Sequence, residues 1–350
     1  MHIPDGYLSP STCAVLYAGA AAGWYSALRR LKRALLTRVI PLISVFAAFS
    51  FVVMMFNLPL PGGTTGHALG VTIAAIVLGP SGAILALSIA IAIQALFFGD
   101  GGISTLGANC FNMAIVGSLV AYATYRMFAA QAALGSKRRV VAAGVAGYLA
   151  VNAAALCAAI EFGIQPALFH DASGAPLYAP YRLGVAIPAM MIGHLTFAGM
   201  AEAVISAGIV AYLQLSDQAL LRGTSGIVGV AVATSAPTRS LRRLWMAVAV
   251  LLLLTPLGIL AAGTAWGEWS PSELAHAVNA PAVAGASVPS GLQRLATLWT
   301  APFPAYAPGF VHSRSFGYLL SAMFGVGMLL CGSLVAQSIV ERHRRRGSPA

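Results

Sequence analysis

Charge is what this chain has least of. Only 8% of its 350 residues are Asp, Glu, Lys or Arg, and Asp and Glu together number 9. A soluble globular chain carries about a quarter charged residues, so that class is excluded. No charged side chain occurs from Val39 through Gly99. A bilayer core needs ~20 apolar residues per helix, so this stretch holds two or three crossings. Cysteine is scarce as well. Cys13, Cys110, Cys157 and Cys331 form no CxxC pair, show no metal-like spacing, and read as small buried hydrophobes. The absence of G-x-x-x-x-G-K-[ST] excludes P-loop nucleotide hydrolysis within the chain. The absence of HExxH and G-x-S-x-G argues against a membrane protease. The start lacks a basic n-region, and Pro4-Asp5-Gly6 breaks the first run. It is therefore not read as a cleavable signal, and the N-terminal residues are expected to persist.

Apolar residues, by contrast, make up 59% of the chain. The fold class they predict is an all-α polytopic membrane protein of about nine transmembrane helices, seven in one module and two in another. The expected helices are Ser11 to Leu28, Val39 to Leu58, a short His67 to Leu78, Ser81 to Phe98, Gly107 to Phe128, Val140 to Gln165, Val185 to Leu213, Leu244 to Trp266 and Phe316 to Val340. The third is short enough to be re-entrant.

Basic residues orient this set. With the N-terminus outside and the C-terminus inside, four basic clusters fall on the cytoplasmic side. They are Arg29, Arg30, Lys32, Arg33 and Arg38; Arg126 and Lys137 to Arg139; Arg222, Arg239, Arg242 and Arg243; and Arg342 with Arg344 to Arg346. Of the 20 basic residues, only Arg182, Arg294 and Arg314 then lie outside, as the positive-inside rule requires. The net charge of +11 thus reflects topology and anionic lipid rather than nucleic acid.

The first two residues carry chemistry. The Met1 amine, the His2 amide nitrogen and the His2 imidazole follow one another along the chain, so they can close two fused rings around one metal ion. The amide must give up its proton, which Ni(II) and Cu(II) can drive. The bulk of His2 should keep Met1 from being removed. A fourth nitrogen is sought on the same side among His67, His170, His276 and His312. His67 stands out at the end of Asn57-Leu58-Pro59-Leu60-Pro61-Gly62-Gly63-Thr64-Thr65-Gly66. That irregular loop is expected to deliver an imidazole to a helix start, tolerable at membrane depth where it lines a site. His67 completes a four-nitrogen plane, although a structural role as a loop-capping histidine remains open.

These residues resemble a known family. Met1-His2-Ile3-Pro4-Asp5-Gly6-Tyr7-Leu8-Ser9 and Gly62-Gly63-Thr64-Thr65-Gly66-His67, with Gly193-His194-Leu195 and Glu202-Ala203 later, are similar to the nickel and cobalt substrate-binding (CbiM/NikM) subunits of energy-coupling factor transporters. The resemblance covers about residues 1–215. It implies a seven-helix membrane domain whose N-terminus inserts from outside. It also implies metal held by the Met1 amine, the His2 amide and imidazole, and His67, with no organic cofactor. Partners implied are a membrane coupling (T) subunit and two ABC-type ATPase subunits in the inner membrane. Residues 216–243 read as a basic Gly/Ser-rich cytoplasmic linker. Residues 244–350 resemble the two-helix N component, with an outer loop at about 267–315. Gly263-Thr264-Ala265-Trp266-Gly267-Glu268-Trp269 and Gly317-Tyr318-Leu319-Leu320-Ser321-Ala322 carry that likeness. Such fusions favour nickel as cargo over cobalt destined for cobalamin synthesis. A proton-coupled metal carrier leaning on Glu202, or a membrane metalloenzyme, are the rival readings.

Further residues are candidates for supporting roles. Asp5, Asn57, Asn109 and Asn112, with Asp100, are expected to order contacts behind the ligands. Met54 and Met55 are read as packing. His194 and Glu202, eight residues apart on one intramembrane helix, are expected to pair with each other some distance below the site. Ala14, Ala18 and Ala22 form a small-residue stripe, with Gly19 and Gly23 beside it, suited either to docking a coupling subunit or to packing within the chain.

Overall fold

The computed structural model describes residues 1–31, 39–60, 64–224, 238–261, 265–278 and 288–346. Several expectations lie outside them: Lys32, Arg33 and Arg38, Pro61 to Gly63, most of the expected linker, Gly263 and Thr264, and part of the outer loop. The side chains of Arg239, His276, His343 and Arg344 to Arg346 do too. The helices are α1 (Pro10–Leu31), α2 (Ile40–Met54), α3 (Val71–Phe98), α4 (Leu106–Ala129), α5 (Lys137–Leu168), α6 (Leu183–Ser216), α7 (Leu241–Leu260), α8 (Pro271–Val278), α9 (Ser290–Leu295) and α10 (Arg314–Arg346). Among the described residues, α3 to α7 and the Arg314–Ile339 part of α10 are long and apolar enough to cross a membrane. The protein is an all-α, multi-pass membrane protein.

One of those helices is not straight. Gly79 has φ +72° and ψ 170° inside α3, and Pro80 follows it. Glycine alone tolerates that backbone, and proline offers no N–H to continue the ladder. A straight helix of that length would separate its ends by roughly 40 Å at 1.5 Å per residue. Yet His67, just before α3, and Asp100, just after it, both touch His2. The element therefore folds back at Gly79-Pro80 into the two pieces that the sequence suggests. The first starts at Val71 rather than His67, so His67 sits in extended chain. The stretch expected to be irregular also differs: Leu58–Leu60 (β1) and Thr64–Gly66 (β2) pair antiparallel, Leu58 opposite Gly66. That hairpin satisfies main-chain groups which an open loop would leave unpaired.

Close helix packing builds the centre. α5 runs against α4 and α6, and a Cβ on Gly147 of α5 would lie 2.9 Å from the Glu202 carbonyl oxygen and 2.9 Å from Ser206 Oγ. The missing side chain lets the two backbones approach. On α1, Gly19 and Gly23 meet Phe111 and Ile115 of α4, whereas Ala14, Ala18 and Ala22 are exposed. Packing within the chain thus uses the glycines and leaves the alanine stripe bare. α10 seals α2: Tyr318 donates to the Met55 carbonyl at 2.7 Å and Ser44 to the Leu329 carbonyl at 3.1 Å. Cys13 and Cys110 are buried as expected, but Cys157 is half-buried and Cys331 exposed.

Candidate metal centre

The chain's first nine residues are drawn into the protein. Met1, His2, Ile3, Tyr7, Leu8 and Ser9 are all at most 4% exposed, so the terminal amine opens into the interior rather than onto solvent. Hydrogen bonds of Ile3 and Asp5 hold this segment against the turn after α3 and the start of α4. Ile3 N–H donates to Asn109 Oδ1 at 2.8 Å. The Ile3 carbonyl accepts from Asn109 Nδ2 at 3.1 Å, from Thr105 Oγ1 and from the Gly102 N–H. Asp5 accepts from the Ile103 and Ser104 N–H groups at 3.1 and 2.7 Å. The glycines of that turn make the approach possible. A Cβ on Gly102 would stand 2.3 Å from the Asp5 nitrogen, and Gly101 has φ +84°.

His2 and His67 meet edge to face, ring centroids 5.1 Å apart. His67 donates Nδ1–H to the Ala68 carbonyl at 3.1 Å, which fixes its tautomer and leaves Nε2 with a lone pair. Burial, with the charges of His2 and the N-terminus, pushes the His67 imidazole down to about 3, so it is neutral at physiological pH. Each donor of the N-terminal pair faces an acid. The Met1 amine donates to Glu268 Oε1 at 2.8 Å, and His2 Nδ1 donates to Asp100 Oδ1. Asp100 also accepts from the Tyr306 hydroxyl at 2.6 Å, and Gln94 Nε2 donates to that hydroxyl at 3.1 Å. Burial pushes the Asp100 carboxyl up, but the His2 charge and the hydrogen bonds from His2 and Tyr306 prevail and hold it below the usual carboxylate range.

The expected supporting residues divide. Asp5 and Asn109 bind the N-terminal segment as described. Asn112 instead donates to Glu161 at 2.8 Å, and Asn57 is half-buried without a side-chain hydrogen bond among the described residues. His194 and Glu202 do not pair. Glu202 accepts from the N–H groups of Leu69 and Gly70 at 2.8 and 2.9 Å and from Thr72 at 3.4 Å. It caps the start of α3, where unpaired N–H groups and the helix dipole favour an anion. His194 donates Nδ1–H to the Met190 carbonyl at 2.8 Å and lines a cavity with Met1, so it lies beside the cluster and not far below it. His170 and His312 are exposed.

Glu268 and Tyr306 were not singled out by the sequence as parts of the site. They contact it from 267 and 206 positions along the chain, and no local pattern encodes such a contact. The only available signal was acid scarcity in the outer loop. Among the described residues, no three His, Cys, Asp or Glu side chains are grouped to hold an ion.

Comparison with known proteins identifies the family. Residues 2–220 match the model of the cobalt uptake substrate-specific transmembrane region, CbiM, and residues 241–342 match the PDGLE domain. The fused nickel transport protein NikMN of Rhodobacter capsulatus is 52% identical over 99% of this chain and all of its own length. The probable fused nickel transport protein LarMN of Lactiplantibacillus plantarum is 42% identical over 94% of this chain and 95% of its own. A truncated transition metal transporter of known crystal structure superposes with a TM-score of 0.57 at 50% identity, over 62% of this chain and 99% of that one. The chain therefore belongs to the CbiM family, carries a PDGLE domain behind the CbiM region, and is a transport component rather than an enzyme.

Proposed function

We propose that this protein is the substrate-capturing subunit of an energy-coupling factor transporter that imports Ni(II), with Co(II) as the alternative cargo. Residues 1–215 form the metal-binding domain, 216–243 the linker and 244–350 the two-helix domain. The N-terminus and the site face outward across the inner membrane. The ion is taken by the Met1 amine, the His2 amide nitrogen, His2 Nδ1 and His67 Nε2, a flat nitrogen set that suits Ni(II). The observation that carries this reading is the buried N-terminus with His67 against His2.

The two acids fit the same scheme. Nδ1 is the His2 nitrogen that closes a six-membered ring with its own amide, and Asp100 now holds it. Glu268 holds the amine. An arriving ion displaces both contacts, the chain gives up one amine proton, the amide proton and the proton on His2 Nδ1, and two carboxylates remain nearby to oppose the metal's charge. Glu202, the residue a proton-driven carrier would need, is committed to capping α3. Lacking a nucleotide motif, the chain depends on a coupling subunit and two ATPases, with exposed Ala14, Ala18 and Ala22 as the docking stripe on α1. The test is metal content after growth with both ions, together with uptake assays. One nickel per chain and uptake that requires the ATPases are expected. Uptake by the isolated chain at the full rate would favour a self-sufficient carrier.

A further inference from the structure

A cavity of about 230 Å³ opens between α6 and the second module, lined by Met1, Thr65, Met190, His194, Trp266 and Trp269 among others. His194 is its one imidazole and is 4% exposed. Its Nδ1 lies 2.8 Å from the Met190 carbonyl, and a carbonyl only accepts. The proton is therefore on Nδ1 and the lone pair on Nε2. That nitrogen is buried and makes no hydrogen bond, a costly state for an acceptor. His67 is set in the same way by the Ala68 carbonyl. Donation of the second ring N–H to a carbonyl is the usual setting of a metal-binding imidazole. At His194–Ala198 α6 widens into a π turn, a deformation frequent at functional sites.

We propose that His194 is a transient ligand, holding the incoming divalent cation in this cavity before the Met1–His2 chelate closes on it. The proposal rests on the four-nitrogen reading of the final site. Its logic is kinetic. Closing the chelate requires the amine and an amide to lose protons, whereas Nε2 of His194 is already free to bind. Met1 lines the same cavity, so an ion held by His194 stands beside the amine that takes it next. The Trp266 and Trp269 side of the cavity belongs to the second module, which places that module on the path of entry.

The test uses the full chain with Ni(II) alone as probe. His194→Gln keeps polarity and approximate volume but offers a poor ligand. It should slow formation of the planar Ni(II) spectrum by about 10-fold or more, while equilibrium affinity changes by less than the ~10-fold of an ordinary supporting residue. His194→Cys restores a metal-binding atom and should recover most of the rate. In His2→Ala, where the chelate cannot close, weak and rapidly exchanging Ni(II) should remain and should vanish when His194→Gln is added. An unchanged rate in His194→Gln, no recovery in His194→Cys, or weak binding that survives loss of His194 overturns the proposal and leaves a water as the partner of Nε2. Tight binding that persists in His2→Ala would instead overturn the chelate reading itself.

Discussion

The CbiM region and the PDGLE region approach the same site with different atoms. Every nitrogen of the proposed final site comes from the first 67 positions of the CbiM region, and Met1, His2 and His67 are each at most 7% exposed. The PDGLE region approaches it with oxygen: the Glu268 carboxylate on the amine, the Tyr306 hydroxyl on Asp100, and the Trp269 carbonyl accepting from Tyr7. Its Glu268 side chain is 23% exposed against 1% for Met1. Donors that must stay in one geometry sit in the packed core, where interiors resist displacement. Of the two acids that the proposed ion would displace, Glu268 lies in the PDGLE region and Asp100 in the CbiM region, and their side chains are 23% and 20% exposed. The comparison suggests that one region binds and the other admits.

The largest effect should come from the N-terminus. His2→Ala removes the imidazole that closes one ring of the chelate and, with it, the driving force for amide deprotonation. Residues added ahead of Met1 convert the amine to an amide and so remove the terminal donor. Either change should lower nickel affinity by well over the ~100-fold expected when a supporting residue is lost, as measured by equilibrium dialysis on folded protein. A tagged N-terminus that binds nickel as before would erase the distinction between the two regions.

His67→Ala should come next. It removes one of four nitrogens but leaves the three-nitrogen arm, so water takes the open position and the planar spectrum survives at reduced affinity. The loss should still exceed ~100-fold, since a ligand and not its support is gone. Its pH behaviour sharpens the point. Affinity must fall as pH falls, because the amine and amide regain protons. Burial holds His67 at about 3, so it stays neutral across that range. His67→Ala should therefore shift the whole curve of affinity against pH without changing its slope between about pH 6 and 8. A flattened slope would mean that His67 carries a proton in the free protein.

The proposed ligands could be read from the sequence because their signal is local. A histidine at position two and an imidazole behind a proline- and glycine-rich stretch can be read within a dozen residues, and the apolar runs that define the helices are equally local. The fold-back of α3 at Gly79-Pro80 was legible for the same reason. The acids were not. Asp100 meets His2 across 98 positions and Glu268 meets Met1 across 267, distances over which only the packed helices decide proximity. The expected His194–Glu202 pair failed because spacing on one helix cannot show what other elements supply. The start of α3 offered Glu202 three N–H groups, and Met190 offered His194 a carbonyl.

The smallest effect, and the one that bears most directly on the comparison, concerns Glu268. In the free protein its carboxylate competes with the metal for the Met1 amine; with metal bound, it remains close enough to offset the ion's charge. These two roles oppose each other in equilibrium affinity but not in rate. Glu268→Gln keeps a hydrogen-bond acceptor yet removes the ionic hold, so the amine is freed faster and nickel should associate faster. The lost charge compensation should speed nickel release as well. Affinity should then move by no more than ~10-fold in either direction, within the range of a supporting residue, while both rate constants rise. Stopped-flow measurement of association, and of release into a chelator, separates the two. A fall in association rate would show that Glu268 assists deprotonation of the amine, which would move the PDGLE region from admitting the ion to taking part in its capture.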